Sequence, residues 1–289
     1  MEKTERKRNF RFETLQLHAG HTLDIITTRA KSCPIYVTTS LAEYVANVFG
    51  GTKMAALEVE INVISTSSGR TVQFVAISTI CSVGDNIIST SCLYAIYLES
   101  MRNPKFNIPD FEAICKIAHD AGITVIAKSE YFTKPIEHGA DIVVHSATKW
   151  IGGHGTTIGG VVIDEVRSKI MRNIGPCQNP FGSFLLIQVL KTLLLRMISY
   201  GFHWIWMYLA FGVKGDANVG AAFTDALQLA NAKTLVIHPA STTHQQLTDE
   251  EQISAGVNKE MIRVSVGYEH IDDIKEDFTI AFEKIKEIN

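Results

Sequence analysis

The sequence predicts an α/β protein: a mostly parallel sheet domain, with a sheet that is incomplete in places, followed by a smaller α+β domain at the C-terminus. Three observations lead there. Short apolar runs alternate with helical patterns between Ala55 and Val166. Those runs are apolar almost without interruption, as strands are when a sheet is covered on both faces. Beyond about residue 180 the pattern changes to two separate strand-like runs and one long amphipathic helix.

Taken in order, Val72–Ile80 follows a Ser-Ser-Gly turn and reads as the opening of a helix. Asn86–Ser89 is a short β-type run. Asp110 stands behind Pro109 as a helix N-cap, because its side-chain oxygen can accept one of the unsatisfied N–H groups of a first turn. Phe111, Ile114, Ile117 and Ala118 then fall on one helical face, and Gly122 supplies the stop. Ile123–Ala127, Ile142–His145 and Gly160–Ile163 read as strands. Strand, helix, strand at this spacing argues for parallel βαβ units. Further on, Lys233–Ile237 and Ile262–Val266 read as strands. The chain then shows an amphipathic helix over 272–288, with Ile274, Phe278, Phe282 and Ile285 on its apolar side. The expected division is an N-terminal arm over 1–45, an α/β domain over 46–180 and a small α+β domain over 181–289.

Composition removes several function classes. Of 289 residues, 46% are hydrophobic and 20% charged, which is ordinary for a folded chain and not for a disordered one. Lys and Arg number 27 against 30 Asp and Glu, so no positive field exists to hold nucleic-acid phosphates. The five cysteines (Cys33, Cys81, Cys92, Cys115, Cys177) are odd in number and far apart, with no Cys-x-x-Cys. Neither a disulfide framework nor a zinc ribbon is implied, and a reducing, cytoplasmic compartment is expected. The first eight residues mix both charge signs and lack an apolar core, unlike a secretory signal. From Phe184 to Val213 the chain is strongly apolar, yet Lys191, Arg196 and His203 interrupt it. The cleanest window, Ile198–Val213, is shorter than the roughly 20 residues of a spanning helix, so a buried or subunit-facing helix is expected and no membrane span.

The chemistry concentrates in His145–Gly160. Lys149 lies just past an apolar strand, where ligands of α/β sheets bind. Ser146 and Thr148 put hydroxyls on either side of it, and five glycines from Gly152 to Gly160 permit close backbone approach. A lysine on a tight turn with flanking hydroxyls suits a Schiff base to a phosphorylated aldehyde. On pattern alone, a surface lysine in a Gly-rich loop explains the stretch as well.

The run Ser146-Ala-Thr-Lys149-Trp-Ile-Gly-Gly-His-Gly155 resembles the pyridoxal phosphate (PLP) lysine motif of the Cys/Met-metabolism enzymes, and within them the O-acetylhomoserine sulfhydrylases. Other blocks agree in order along the chain. They include Thr14-Leu-Gln-Leu-His-Ala-Gly20, Pro34–Ser40, Ser67-Ser-Gly69, Gly84–Ser91 and Asn103–Phe111. Asn179-Pro-Phe-Gly-Ser-Phe184, Thr234–Pro239, Thr242-Thr-His244 and Ile262–Gly267 continue the resemblance. It implies a fold-type I PLP-dependent transferase, assembled as a dimer or tetramer and acting on a small amino-acid substrate. The implied reaction is γ-replacement of acetate by sulfide to give homocysteine. Lys149 matches the lysine that bonds the cofactor and then takes the substrate Cα proton. Gly69, Ser146 and Thr148 match phosphate-side positions, and Tyr94 a tyrosine that stacks on the cofactor ring. Arg263 matches the arginine that clamps the substrate carboxylate, in a fork geometry lysine cannot copy. Asn103 matches a position near the substrate.

The chain departs from the family pattern at several places. A Tyr-Ser-Arg-x-x-Asn-Pro-Thr block, which reaches the phosphate of the neighbouring subunit, is missing after Phe49-Gly. Further gaps fall between Tyr94 and Tyr97, after Asp164 and around 215–232. Where the family carries the Asp that pairs with the pyridine nitrogen, this chain has Lys128, followed by Ser129 and Glu130. Opposite charges 4 Å apart gain about 4 kcal/mol at an effective dielectric near 20, and a lysine reverses that sign. Arg70 stands where Gln or Met is usual and reads as a solvated surface residue. His154 reads as a loop histidine, Glu99 as structural, and Trp204 and Trp206 as core or interface aromatics. His238 and His244 lack a third ligand at compact spacing, so no metal is expected. The competing reading is a shortened, non-catalytic relative or partner subunit.

Overall fold

The structure is a computed structural model, and it describes residues 48–58, 63–81, 84–85, 97–100, 106–129, 134–163, 177–196, 208–227, 234–267 and 269–286. The arm over 1–45, the run Asn86–Ser89, Trp204 and Trp206 lie outside them. The chain divides into two compact units. The first takes the described residues up to 100 and from 109 to 194; the second takes 106–108 and those from 195 onward.

The first unit is built on a five-stranded sheet of β1 (Val63–Thr66), β2 (Tyr97–Glu99), β3 (Ile126–Lys128), β4 (Ile142–His145) and β5 (Gly160–Ile163). Their order is β1-β5-β4-β3-β2. β2, β3 and β4 run parallel, whereas β5 is antiparallel to β4, and β1 to β5. The expected third parallel unit is therefore replaced. The segment joining β4 to β5 is spent on tight turns and forms no helix, so the chain returns beside β4 in the opposite direction. β3 opens at Ile126, later than expected, because Asp141 Oδ2 takes the Val125 N–H at 2.7 Å before the ladder begins.

The described helices of this unit include α1 (Ala55–Glu58), α2 (Gly69–Ile80), α3 (Phe111–Asp120) and α4 (Pro180–Leu190). A π-helical segment, Val48–Met54, leads into α1. α2 is the helix expected after Ser-Ser-Gly. Ser68 caps it, its Oγ accepting from Thr71 N at 3.1 Å. Val72, Val75 and Ala76 lie on one stripe and pack on Tyr97, Ile126, Ile142 and Val144. Asp110 caps α3 as expected, accepting from Ala113 N at 3.0 Å, and Gly122 ends it at φ +70°. The buried stripe of α3 is Phe111, Cys115 and Ala118, an i, i+4, i+7 set. Ile117 was expected on that face and is instead 70% exposed. It sits beyond the stripe's edge, and Cys115 takes the central place. Asn179 caps α4 through Gly182 N at 2.6 Å, with Pro180 at the first turn.

The second unit holds an antiparallel sheet ordered β6-β8-β7, of β6 (Tyr208–Gly212), β7 (Leu235–Ile237) and β8 (Met261–Ser265). Its helices are α5 (Ala217–Ala226), α6 (Asp249–Ala255) and α7 (Ile271–Lys286). Phe223, Ile262, Val264 and Ala281 form the core centre. Phe223 stacks on Phe282 with ring centroids 4.8 Å apart. On α7, Ile274 and Ile285 are buried as expected, joined by Asp277 and Ala281. Phe278 and Phe282 pack by their rings only, and Phe282 stays 40% exposed. Among the described residues no helix is long and apolar enough to cross a membrane; residues 197–207 of the apolar stretch lie outside them.

Candidate active site

A cavity of about 360 Å³ opens in the first unit where parallel strands end. Gly69, Arg70, Lys128, Ser146, Thr148 and Lys149 are among the residues lining it. One wall is the start of α2. Thr71 N is satisfied by Ser68 Oγ and Val72 N by Ser68 O. Helix geometry leaves Gly69 N–H and Arg70 N–H without an acceptor inside the helix, and the dipole adds positive potential there. A Cβ on Gly69 would fall 2.6 Å from Ser146 Oγ. Only glycine lets helix start and Ser146 hydroxyl approach this closely, so the two make one cradle for an anion.

The opposite wall is the turn after β4. Lys149 N donates to Ser146 O at 3.0 Å, and Gly153 N to Lys149 O at 2.6 Å. The Thr148 hydroxyl donates to Gly159 O at 3.2 Å and accepts from Gly159 N at 3.0 Å. Thr148 thus lines the cavity with its hydroxyl already engaged, and it pins the lysine turn to the entry of β5. Gly159 is held in turn by its neighbour. Gln178 Nε2 donates to Ile158 O at 2.8 Å, from a side chain only 1% exposed. No pattern in the sequence singles out Gln178, because this bond spans 20 positions. Lys149 is exposed as a residue while lining the cavity beside the cradle.

The floor carries two pairs. Gln73 Nε2 donates to the Tyr97 phenol oxygen at 2.8 Å. Burial, opposed by that hydrogen bond and aided by the Glu99 charge, pushes the Tyr97 phenol well above its ordinary range, so it stays protonated. Beside it, Lys128 Nζ meets Glu99 Oε1 at 2.5 Å, with side chains 19% and 12% exposed. Both are the last residues of neighbouring parallel strands, in direct register. His145 Nδ1 donates to Ser129 O at 2.8 Å. Arg70, Lys128 and Lys149 give the lining three cations and, among the described residues, no carboxylate.

Four of the expected site residues, Gly69, Ser146, Thr148 and Lys149, come together here. Arg70, expected to be a solvated bystander, lines the cavity although it is exposed. It stands in the first turn of α2, next to Gly69. Tyr94, Asn103 and Glu130 lie outside the described residues. Arg263 belongs to the second unit, mid-strand on β8 between Ala210 and Ile237. Nearby, burial and then the Arg263 charge hold the His244 imidazole below its usual value. His238 is a core histidine, its Nε2 donating to Lys259 O at 2.6 Å and its Nδ1 meeting Ser241 Oγ at 2.8 Å. His154 is exposed, off the cavity lining, with Nδ1 at 3.2 Å from Gly152 O. Glu99 serves Lys128.

The donor set fits PLP: two helix N–H groups, a serine hydroxyl and an arginine for the phosphate, and one lysine amine for the aldehyde. Comparison with known proteins agrees. The family model for Cys/Met metabolism PLP-dependent enzymes matches residues 95–200 and 206–283. The homocysteine synthase of Schizosaccharomyces pombe is 36% identical across 94% of this chain and 98% of its own. That alignment runs over 421 positions against 289 residues here, so the relative carries segments this chain lacks. The O-acetyl-L-homoserine sulfhydrylase of Leptospira meyeri is 28% identical across 96% of this chain and 98% of its own. Among solved structures, a Campylobacter jejuni protein described as an O-acetylhomoserine (thiol)-lyase shares the fold at TM-score 0.82 and 23% identity, covering 95% of this chain and 100% of that one. It contains N'-pyridoxyl-lysine-5'-monophosphate. Motif, cavity and relatives converge, and this chain belongs to the Cys/Met metabolism PLP-dependent enzyme family.

Proposed function

We propose that this chain replaces the acetate of O-acetylhomoserine by sulfide, giving homocysteine, as an O-acetylhomoserine sulfhydrylase does. The observation that carries this is the meeting of Lys149 with the Gly69–Ser146 cradle in one cavity. The first compact unit serves as the cofactor domain and the second as the small domain. When bound, PLP supplies the electron sink for carbanion chemistry at the substrate. Gly69 N–H, Arg70 and the Ser146 hydroxyl are the groups that would hold its phosphate. Thr148 holds the lysine turn in place through Gly159. Lys149 Nζ is the amine that would hold the cofactor aldehyde and, once free, would take the substrate Cα proton as general base. By resemblance, Tyr94 would be the tyrosine that stacks on the ring, and Arg263 and Asn103 the substrate-side residues, with the Arg263 guanidinium suited to a bidentate grip on a carboxylate. The protein works as a dimer or tetramer in the cytoplasm.

Purified protein supplied with PLP, O-acetylhomoserine and sulfide is expected to release homocysteine and acetate in equal amounts. Lys149→Ala is expected to lower this rate roughly a thousandfold or more. A wild-type chain that takes up PLP but releases no homocysteine overturns the reaction. Indifference to PLP favours the non-catalytic relative. Sedimentation of the same preparation reads the oligomeric state.

A further inference from the structure

We infer that Lys128, locked by Glu99, faces the cofactor's ring nitrogen and donates a hydrogen bond to it, so that the ring is held unprotonated. The inference rests on the proposed binding of PLP at Lys149 and concerns a different part of the cavity.

The chemistry of the cofactor sets the geometry. In PLP the phosphate arm is attached next to the carbon that bears the aldehyde, and the ring nitrogen is para to that carbon. Phosphate and aldehyde therefore occupy one side of the ring, and the nitrogen points to the other. Gly69, Ser146 and Lys149 make up the phosphate and amine side. Ser68, Arg70 and Thr148 are sequence neighbours of that cradle, and the polar lining left beyond them is Gln73, Tyr97, Lys128 and His145. Gln73 spends its amide nitrogen on the Tyr97 phenol, and His145 spends Nδ1 on Ser129 O.

Lys128 is the charged group left on that side. Its ammonium is tethered by Glu99 at 2.5 Å across adjacent parallel strands, which fixes its position at the strand ends. Glu99 is not itself in the lining, so the cavity meets the lysine and not its counter-ion. A protonated ring nitrogen needs an anion beside it. Among the described residues lining the cavity there is none, and an ammonium stands there instead. A basic ring nitrogen lone pair, by contrast, accepts directly from Lys128 Nζ, which has three protons to give and uses one on Glu99. The pair thus assigns this site a neutral ring, a weaker electron sink than a pyridinium.

The test uses the whole chain loaded with PLP carrying ¹⁵N in the ring. The ¹⁵N resonance of the wild-type protein is expected at the position of an unprotonated pyridine. Lys128→Asp is expected to move it to the pyridinium position. On the wild-type chain, an analogue with carbon in place of the ring nitrogen is expected to bind roughly ten- to a hundredfold more weakly than PLP, the worth of one charge-assisted hydrogen bond. A pyridinium resonance in the wild type overturns the inference, as does equal affinity for the analogue, and neither measurement needs a variant to fold. Failure of the wild type to take up PLP at all overturns the proposed function, and this inference with it. Uptake with a pyridinium ring overturns this inference alone.

Discussion

The two sheets place their charged residues differently. In the first unit, β4 and β5 are buried at every position, and α2 covers the face that carries Tyr97, Ile126 and Val144. Among the described strands of that sheet, charged side chains and the histidine stand only at strand ends: Glu99, Lys128 and His145 are the last residues of β2, β3 and β4. In the second unit β8 alternates, with Ile262 and Val264 buried and Met261, Arg263 and Ser265 partly exposed. That sheet is covered on one side, so a charge can stand in the middle of a strand. A sheet closed on both faces gathers chemistry at its edge, whereas one covered on a single face can present it from the flank.

The difference can be broken most forcefully in the aromatic core. Phe223→Ala removes a fully buried ring and is expected to cost about 3–5 kcal/mol. In urea the loss is expected in the transition of the second unit alone; one shared, displaced transition would dissolve the distinction between the units. At the strand-end site, Gly69→Ala pushes a methyl to 2.6 Å from Ser146 Oγ. PLP affinity is expected to fall roughly ten- to a hundredfold, as when one charged hydrogen bond is lost. A cofactor titration that leaves affinity unchanged would remove the cradle from the site.

Smaller effects sharpen the picture. Asp110→Ala is expected to destabilise the first unit by about 1 kcal/mol through loss of the α3 cap, measured by denaturant midpoint. The smallest effect lies beside Arg263. Burial first, and the Arg263 charge second, lower the His244 pKa from its ordinary 6.5. As pH falls below that value, the unfolded chain takes up a proton before the folded chain does. The His244 contribution is therefore complete above pH 6.5 and declines as pH falls through the folded value. His244→Asn is expected to flatten stability against pH below that point, and an unchanged slope would show that the imidazole titrates alike in the folded and unfolded chains.

Much of the site was legible because its signals are local. The Asp110 cap, the Ser68–Gly69 helix start and the strand Ile142–His145 each depend on neighbours a few residues away. Lys149 and its flanking hydroxyls form one continuous run. The misreadings share a cause. Ile117 and Cys115 satisfy a helical stripe almost equally in sequence, and only the sheet beneath chooses between them. β5 is apolar enough to be a parallel strand, yet the turns of 146–159 send it back antiparallel. Thr148 lines the cavity as expected, and its hydroxyl also bonds Gly159, 11 positions later, a contact no local pattern shows.

Alone, the sequence determined the family, and it singled out Lys149 and the Gly69 and Ser146 positions that the fold brings to one cavity. These are matters of residue type at short range, where backbone geometry is nearly forced. Tertiary structure decided the electrostatics. Lys128 stands 29 positions from Glu99, and their pairing exists only because β2 and β3 run parallel in one register. Arg70 became part of the cavity, and Gln178 a support of the lysine turn, for the same reason. Burial and charge depend on which distant segments meet, and that is settled by packing.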